Sequence, residues 1–456
     1  MKRILSVLLL VCIWMLAAVP AMAAGLPTVS FATAEGAING GFAYDLVVRV
    51  NQPQTADLPV QIKNGATGEV FTVVIPAGEK QAAYAVDTDA VDTRAKISFS
   101  ILKSEMYKGN GRHALTVQPL PRVTFAGKIY MGAMGRNASV KMKCSNAACI
   151  VKGNNTFQLR NSEGVVLAEK AWPAGAKEAS FTVAVDESTL GRHDLTLWLG
   201  EHCLTEQPGY ASFADTSRKA VQRLAPEVPL MAIGIDCAYD DSKTDAILEV
   251  LEKHQVKVTF FMTGQFMRTF PEAAKKIAAA GHEIANHSNT HRHMKTLGAY
   301  EQYRQVMHPV EEAEEMLGVT PRLFRPPFGE FNAQISSQCR GEGMEVVMWT
   351  MSYCDSAKIY PYDKMIRYAT TSADYGPGAI VLCHLDGAYM PDTLEAGLSY
   401  YESLGLQVVP ISALIYASGG ELPPMPAARE ALVYSDEYWP AWLRENVPEH
   451  AWVLDK

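Results

Sequence analysis

Lys257-Val-Thr-Phe-Phe261, a helix-forming run over 271–280, and then Gly281-His-Glu-Ile-Ala-Asn286: this stretch decides the architecture. The first run is short, continuous and rich in β-branched and aromatic residues, as a strand covered on both faces must be. A second short apolar run follows. Strand, helix and strand in so few residues call for parallel pairing with a crossover helix. The same alternation extends outward on both sides. It runs through Leu230–Ile235, helix 244–253, helix 300–317, Arg322–Phe324, helix 332–342, Glu345–Trp349, helix 362–371, Ala379–Cys383, helix 392–404, Gln407–Val409 and helix 411–417. Seven or eight such units predict a (β/α) barrel over 229–418, with a doubly wound open sheet as the alternative.

Upstream the pattern changes. Pro27-Thr-Val-Ser-Phe-Ala reads like Pro121-Arg-Val-Thr-Phe-Ala, and Ile75-Pro-Ala-Gly-Glu-Lys like Trp172-Pro-Ala-Gly-Ala-Lys. In both copies an alternating strand follows, Ala83–Asp87 and Phe181–Asp186. This duplication predicts two β-sandwich modules, 25–119 and 120–215, joined to the barrel by a polar linker, 216–228. Beyond the barrel, the tail 419–456 carries Tyr434, Tyr438, Trp439, Trp442 and Trp452 and is expected to pack on a surface.

The 456 residues, 48% hydrophobic and 20% charged, suit several folded domains and exclude a largely disordered chain. A net charge of −8 with no basic block argues against nucleic acid as a partner. Lys2 and Arg3, an apolar stretch from Ile4 to about Val19 and then Pro20-Ala-Met-Ala-Ala24 have the form of a signal peptide, residues 1–24. An uncleaved anchor is the alternative, although the run is shorter than the ~20 residues a span needs. The mature protein is thus expected to be secreted, periplasmic or attached to the cell envelope, with no transmembrane segment. Cys144 and Cys149 are spaced for either a small disulfide loop or two separate thiols.

His287 and His291, four residues apart, would share one side of a helical turn and offer two imidazoles to one metal ion. Asp236, His287, Arg325 and His384 each stand just past the end of a different strand, and the strand ends converge on one face of a barrel.

Taken together, these motifs resemble the NodB-type polysaccharide deacetylases, carbohydrate esterase family four. The likeness rests on His287-Ser-Asn-Thr-His291, Arg325-Pro-Pro-Phe-Gly329, Leu382-Cys-His384, Val258-Thr-Phe-Phe261 and Gly281-His-Glu-Ile284, in family order. It implies a distorted (β/α) barrel that removes N-acetyl groups from an N-acetylated polysaccharide with a divalent metal, zinc first and cobalt or nickel as substitutes. By this resemblance Asp236 is the general base, His384 the general acid and Arg325 a further catalytic residue. Phe328 provides an oxyanion donor, and Trp349 and Leu382 wall the acetate pocket. The N-terminal modules also resemble Calx-β-like sandwiches.

The chain departs from the family twice. The second aspartate of the first motif, a metal ligand, is replaced in Asp236-Cys237-Ala-Tyr-Asp240-Asp241, so the third ligand is expected at Asp241, with Asp240, Asp236 or a Cys237 thiolate as alternatives. Ser352 stands where the family has an aspartate that pairs with the motif arginine, although Asp355 follows, so Arg325 is expected to lack its usual partner. Two other functions compete: a glycan- or wall-binding protein whose barrel has lost catalysis, and an amidase of small substrates.

Overall fold

The computed structural model describes residues 25–455 apart from 110, 218, 358 and 427–428; the expected signal peptide lies outside the described residues. The chain divides into two compact units: residues up to 121 with 146–155 and 173–176, and residues 122–145, 156–172 and 177–456.

The first unit is β-rich. A three-stranded antiparallel sheet (Val29–Phe31, Ala43–Val50, Gln81–Asp87) and a five-stranded sheet (Gly36–Asn39, Leu58–Asn64, Val70–Ile75, Ala95–Ile101, Arg112–Gln118) share one core that includes Leu46, Val48, Val60, Phe99 and Leu115. Alternating side chains in each strand supply that core, which is why Leu58–Asn64 buries every second residue.

The second unit begins with β structure too. Strands Val123–Phe125, Asn137–Cys144 and Glu178–Ala184 form one sheet, and a six-stranded sheet runs from Ile129–Ala133 through Gly209–Ala214 and Gly191–Leu199 to Thr156–Arg160 and Val166–Ala171, with His202–Cys203 paired to the end of Gly191–Leu199. Trp172 is buried between Phe157 and Phe181, with ring centroids 5.4 and 6.3 Å away.

From Leu230 the unit carries an all-parallel sheet of eight strands: β1 Leu230–Cys237, β2 Thr259–Met262, β3 Glu283–Asn286, β4 Leu323–Phe324, β5 Glu345–Val346, β6 Met351–Ser352, β7 Ile380–His384 and β8 Gln407–Val408. Their order is β5-β4-β3-β2-β1-β7-β6, with β8 on the start of β1. The two end strands are consecutive in sequence. Five peptide units join Val346 to Met351 and span at most ~18 Å, so the sheet must curl until its ends approach. That curl fits a (β/α) barrel. Central β1 is buried at every position; between the strands run α1 Thr244–Lys253, α2 Gly264–Thr269, α3 Pro271–Ala279, α4 Ala299–Leu317, α5 Ala333–Gly341, α6 Tyr362–Thr370 and α7 Asp392–Ser403, and α8 Ile411–Ala417 follows β8. The aromatic tail packs against this domain. Tyr434, Trp439 and Leu443 enter its core, and Arg322, itself buried, donates to the carbonyls of Pro423 and Tyr434. Among the described residues no helix is long and apolar enough to cross a membrane.

Helix α5 ties the barrel to the preceding β structure. Its last seven residues are all buried although four of them are polar. Ser212 donates to the Ser337 carbonyl at 3.0 Å, and Ser337 to that of Gly132 at 3.3 Å. Arg340, paired with buried Glu345, also donates to the carbonyls of Asp215 and Lys219. Gly341 is glycine because any Cβ there would collide with the Ser212 side chain.

Candidate active site

At the C-terminal ends of the strands lies a cavity of about 740 Å³, lined by Asp236, Tyr239, His287, His291, Phe328, Trp349, Leu382, His384 and Asp386 among others. Asp236 and His384 are register partners on the adjacent parallel strands β1 and β7, so the sheet itself sets them side by side. Arg325 follows β4. Its guanidinium, buried and stacked 4.0 Å over the Phe261 ring, donates to Asp236 Oδ1 at 2.7 Å and to the Gly234 carbonyl at 3.2 Å. Arg325 therefore does without the aspartate that Ser352 replaces and takes Asp236 as its partner. Asp355 instead reaches His384: its carboxylate accepts from the His384 backbone N–H at 2.7 Å and lies 2.9 Å from Nδ1.

These pairings set the charge states. Burial pushes the Asp236 carboxyl up, but His287, Arg325 and His384 together with the Arg325 hydrogen bond hold it below the ordinary value. Burial pulls the His384 imidazole down, and the Asp355 hydrogen bond and charge outweigh that and raise it. The site thus favours an ionised carboxylate next to a protonated imidazole. Burial lowers His287, and it lowers His291 to about 4, so both imidazoles are neutral at pH 7.

His287 and His291 do not share a helical turn. β3 ends at Asn286, and Ser288 and His291 take positive φ of 68° and 50° in the loop that follows. The loop still brings the rings together, with centroids 4.9 Å apart. His287 Nδ1 lies 2.8 Å from the Arg325 carbonyl, an acceptor only, which places the proton on Nδ1 and leaves Nε2 as a lone pair. That Nε2 lies 3.4 Å from Asp236 Oδ2, and Tyr239 hydrogen-bonds His291 Nδ1 at 2.9 Å. Neutral imidazoles with Nδ1 so engaged are suitable metal donors.

A complete protein ligand set is not gathered, because among the described residues no three His, Cys, Asp or Glu side chains are placed to hold a metal ion. The third ligand expected at Asp241 is not found in the cavity lining. The acidic loop serves the start of α1: the Asp240 carboxylate accepts from the backbone and hydroxyl of Ser242, and the Asp241 carbonyl from Thr244 N–H. Cys237 alternates with Asp236 along β1 and joins the hydrophobic core, where burial pushes its thiol well up.

Phe328 lines the cavity with φ 59°, and its ring stacks on His293 at 4.0 Å. Trp349 and Leu382 are in the wall as expected. Sequence reading missed Asp355 as the partner of His384, Tyr239 as that of His291, and Asp386 in the lining. Asp355 had a signal, being the next acid after Trp349. Tyr239 carried no such signal, standing in a loop marked by its carboxylates Asp240 and Asp241.

Residues 225–347 match the family model for polysaccharide deacetylases. Over these residues the chain is similar to the polysaccharide deacetylases. The domain is 32% identical over 190 residues to YlxY of Bacillus subtilis, an alignment covering 42% of this chain and 58% of that one. It is 29% identical over 197 residues to the peptidoglycan-N-acetylmuramic acid deacetylase PdaA of the same organism, covering 42% and 73%. A Bacillus anthracis structure described as a pseudoenzyme of carbohydrate esterase family four is 26% identical, with a TM-score of 0.41, covering 48% of this chain and 79% of that one. The chain thus spans less than two thirds of YlxY's own length.

Proposed function

We propose that this chain is a secreted or envelope-attached hydrolase that removes N-acetyl groups from an amino-sugar polysaccharide, peptidoglycan or an exopolysaccharide. The observation that carries this reading is the pairing of two tuned groups on neighbouring strands, Asp236 with Arg325 and His384 with Asp355. The names of relatives such as PdaA support a cell-wall substrate and an extracytoplasmic site of action. The β-rich region ahead of the barrel is read as two sandwich modules, 25–119 and 120–215, with a linker to 228.

With the acetamide in the cavity, Asp236 is ionised and takes a proton from the attacking water. The Phe328 backbone N–H donates to the oxyanion that forms. His384, held protonated by Asp355, delivers its proton to the departing amine, and without that transfer the tetrahedral intermediate would expel water again. Trp349 and Leu382 enclose the acetyl methyl. His287 and His291 would hold a divalent metal, zinc by imidazole preference with cobalt or nickel near it, and once bound it would polarise the acetamide carbonyl.

Acetate release from peptidoglycan and from N-acetylglucosamine polymers tests the reading. Asp236→Asn is expected to lower the rate by about 10²-fold or more; an undiminished rate overturns it. The absent third ligand favours a second reading, a glycan-binding barrel without turnover. Glycan binding with no acetate release and no stoichiometric metal would decide for that reading.

A further inference from the structure

One strand of the first unit is open along its outer side. Val70–Ile75 is an end strand of the five-stranded sheet, antiparallel to Leu58–Asn64, and among the described residues no strand pairs with its other side. Backbone N–H and C=O groups along that side are left to solvent. Val70, Thr72 and Val74 point away from the core, the two valines 48% and 46% exposed, while Val73 and Ile75 point into it. On the neighbouring strand the residues opposite Thr72 and Val70 are Gln61 and Lys63, polar as an outer face should be.

Natural sheets blunt such edges with short strands, charges or bulges. Other edges in the β-rich regions follow this rule: Val29–Phe31 and Val123–Phe125 are three residues long, and Val166–Ala171 carries Glu169 and Lys170 beside a register shift. Val70–Ile75 has six residues, no charge, no proline and no register shift.

The strand is also symmetric about its middle. Gly68, in a turn at φ 78°, and Pro76 bound it four residues either side of Thr72. Laid antiparallel to itself with Thr72 opposite Thr72, it sets Val70 opposite Val74 on the outer face and Phe71 opposite Val73 on the inner one. β-Branched and aromatic pairs of this kind stabilise sheets. Phe71, partly exposed and stacked on Tyr84 with centroids 4.4 Å apart, is covered in the same step.

We propose that Val70–Ile75 is the two-fold interface of a homodimer, paired edge to edge with a second copy of this chain in the register centred on Thr72. Self-complementarity selects this occupant, since an edge built for an unrelated strand has no need to match its own reverse. The proposal does not depend on the reaction at the barrel.

Sedimentation of the full chain at about 1–100 µM reads the assembly directly. The parent should reach a dimer. Val70→Glu with Val74→Glu sets glutamates face to face across the strands and should raise the dissociation constant about tenfold or more. Val70→Glu with Val74→Lys sets opposite charges face to face and should restore the dimer. Cross-linking tests the register. In a Cys203→Ser background, which removes the exposed thiol, Thr72→Cys treated with copper phenanthroline should form a covalent dimer. Val70→Cys, about 13 Å from its copy in this register, should not. The cysteine variants decide the question if the glutamate variant fails to fold. A parent that stays monomeric, a dimer indifferent to the paired glutamates, or cross-linking of Val70→Cys in place of Thr72→Cys overturns the proposal.

Discussion

One carboxylate, that of Asp355, accepts from the backbone N–H of His384 and pairs with its imidazole Nδ1, at 2.7 and 2.9 Å, from a position with no exposed surface. Backbone and side chain of the proposed acid are thus fixed by a single group, which couples its orientation to its charge.

Replacing that group should expose the coupling. In Asp355→Asn the imidazole loses the charge that raises it, so the high-pH limb of the rate profile, which requires protonated His384, moves to lower pH. Acetate release at neutral pH should fall by about 10-fold or more. A profile with its high-pH limb unmoved would contradict the assignment of His384 as acid.

Arg325 offers the complementary case. Arg325→Met leaves the Asp236 carboxylate buried without its cation and should cost about 3–5 kcal/mol of stability, read as a lower urea midpoint. The Asp236 carboxyl also rises, so the low-pH limb moves to higher pH. Gly234→Ala should act in the same direction, because its methyl would intrude on the guanidinium.

Two buried glutamates predict how stability follows pH. Burial raises Glu283, which accepts hydrogen bonds from the Thr259 and Ser412 hydroxyls, to about 7, and likewise raises Glu342 to about 7 against an ordinary 4.5. Between those values the folded protein binds more protons than the unfolded chain. Their contribution is therefore complete below about 4.5 and is lost as the pH climbs through about 7. Glu283→Gln should flatten this slope in melting temperatures taken across that interval; an unchanged slope would remove Glu283 from the account.

The Cys237 thiol faces the core, so Cys237→Ser should leave metal content and acetate release within about twofold. A disulfide-exchange reagent should modify exposed Cys203 in the folded protein and reach Cys237, Cys339 and Cys383 only on unfolding. Loss of metal in Cys237→Ser would restore the thiolate as a ligand.

Much of the barrel was legible because its strands are short unbroken apolar runs between amphipathic helices. Helix Thr244–Lys253 was read to the residue. Strand Met351–Ser352 was not, since two residues carry no periodicity, and Gly264–Thr269 was overlooked although Thr263 caps it by accepting from Phe266 N–H. The strand-end residues could be gathered from topology alone, as Asp236 and His384 show. Which carboxylate meets which base depended on loop geometry. Asp355 lies 29 residues from His384, and Asp240 bonds to the neighbouring Ser242.

The burial of α5 against the strands before the barrel bears on inheritance. A recombination event that moved only the family-matched stretch would strand Ser337, Arg340 and Gly341 without the carbonyls and close packing they have here. The barrel of this chain is thus poorly suited to exchange as a cassette, and residues 122–215 are expected to travel with it through evolution.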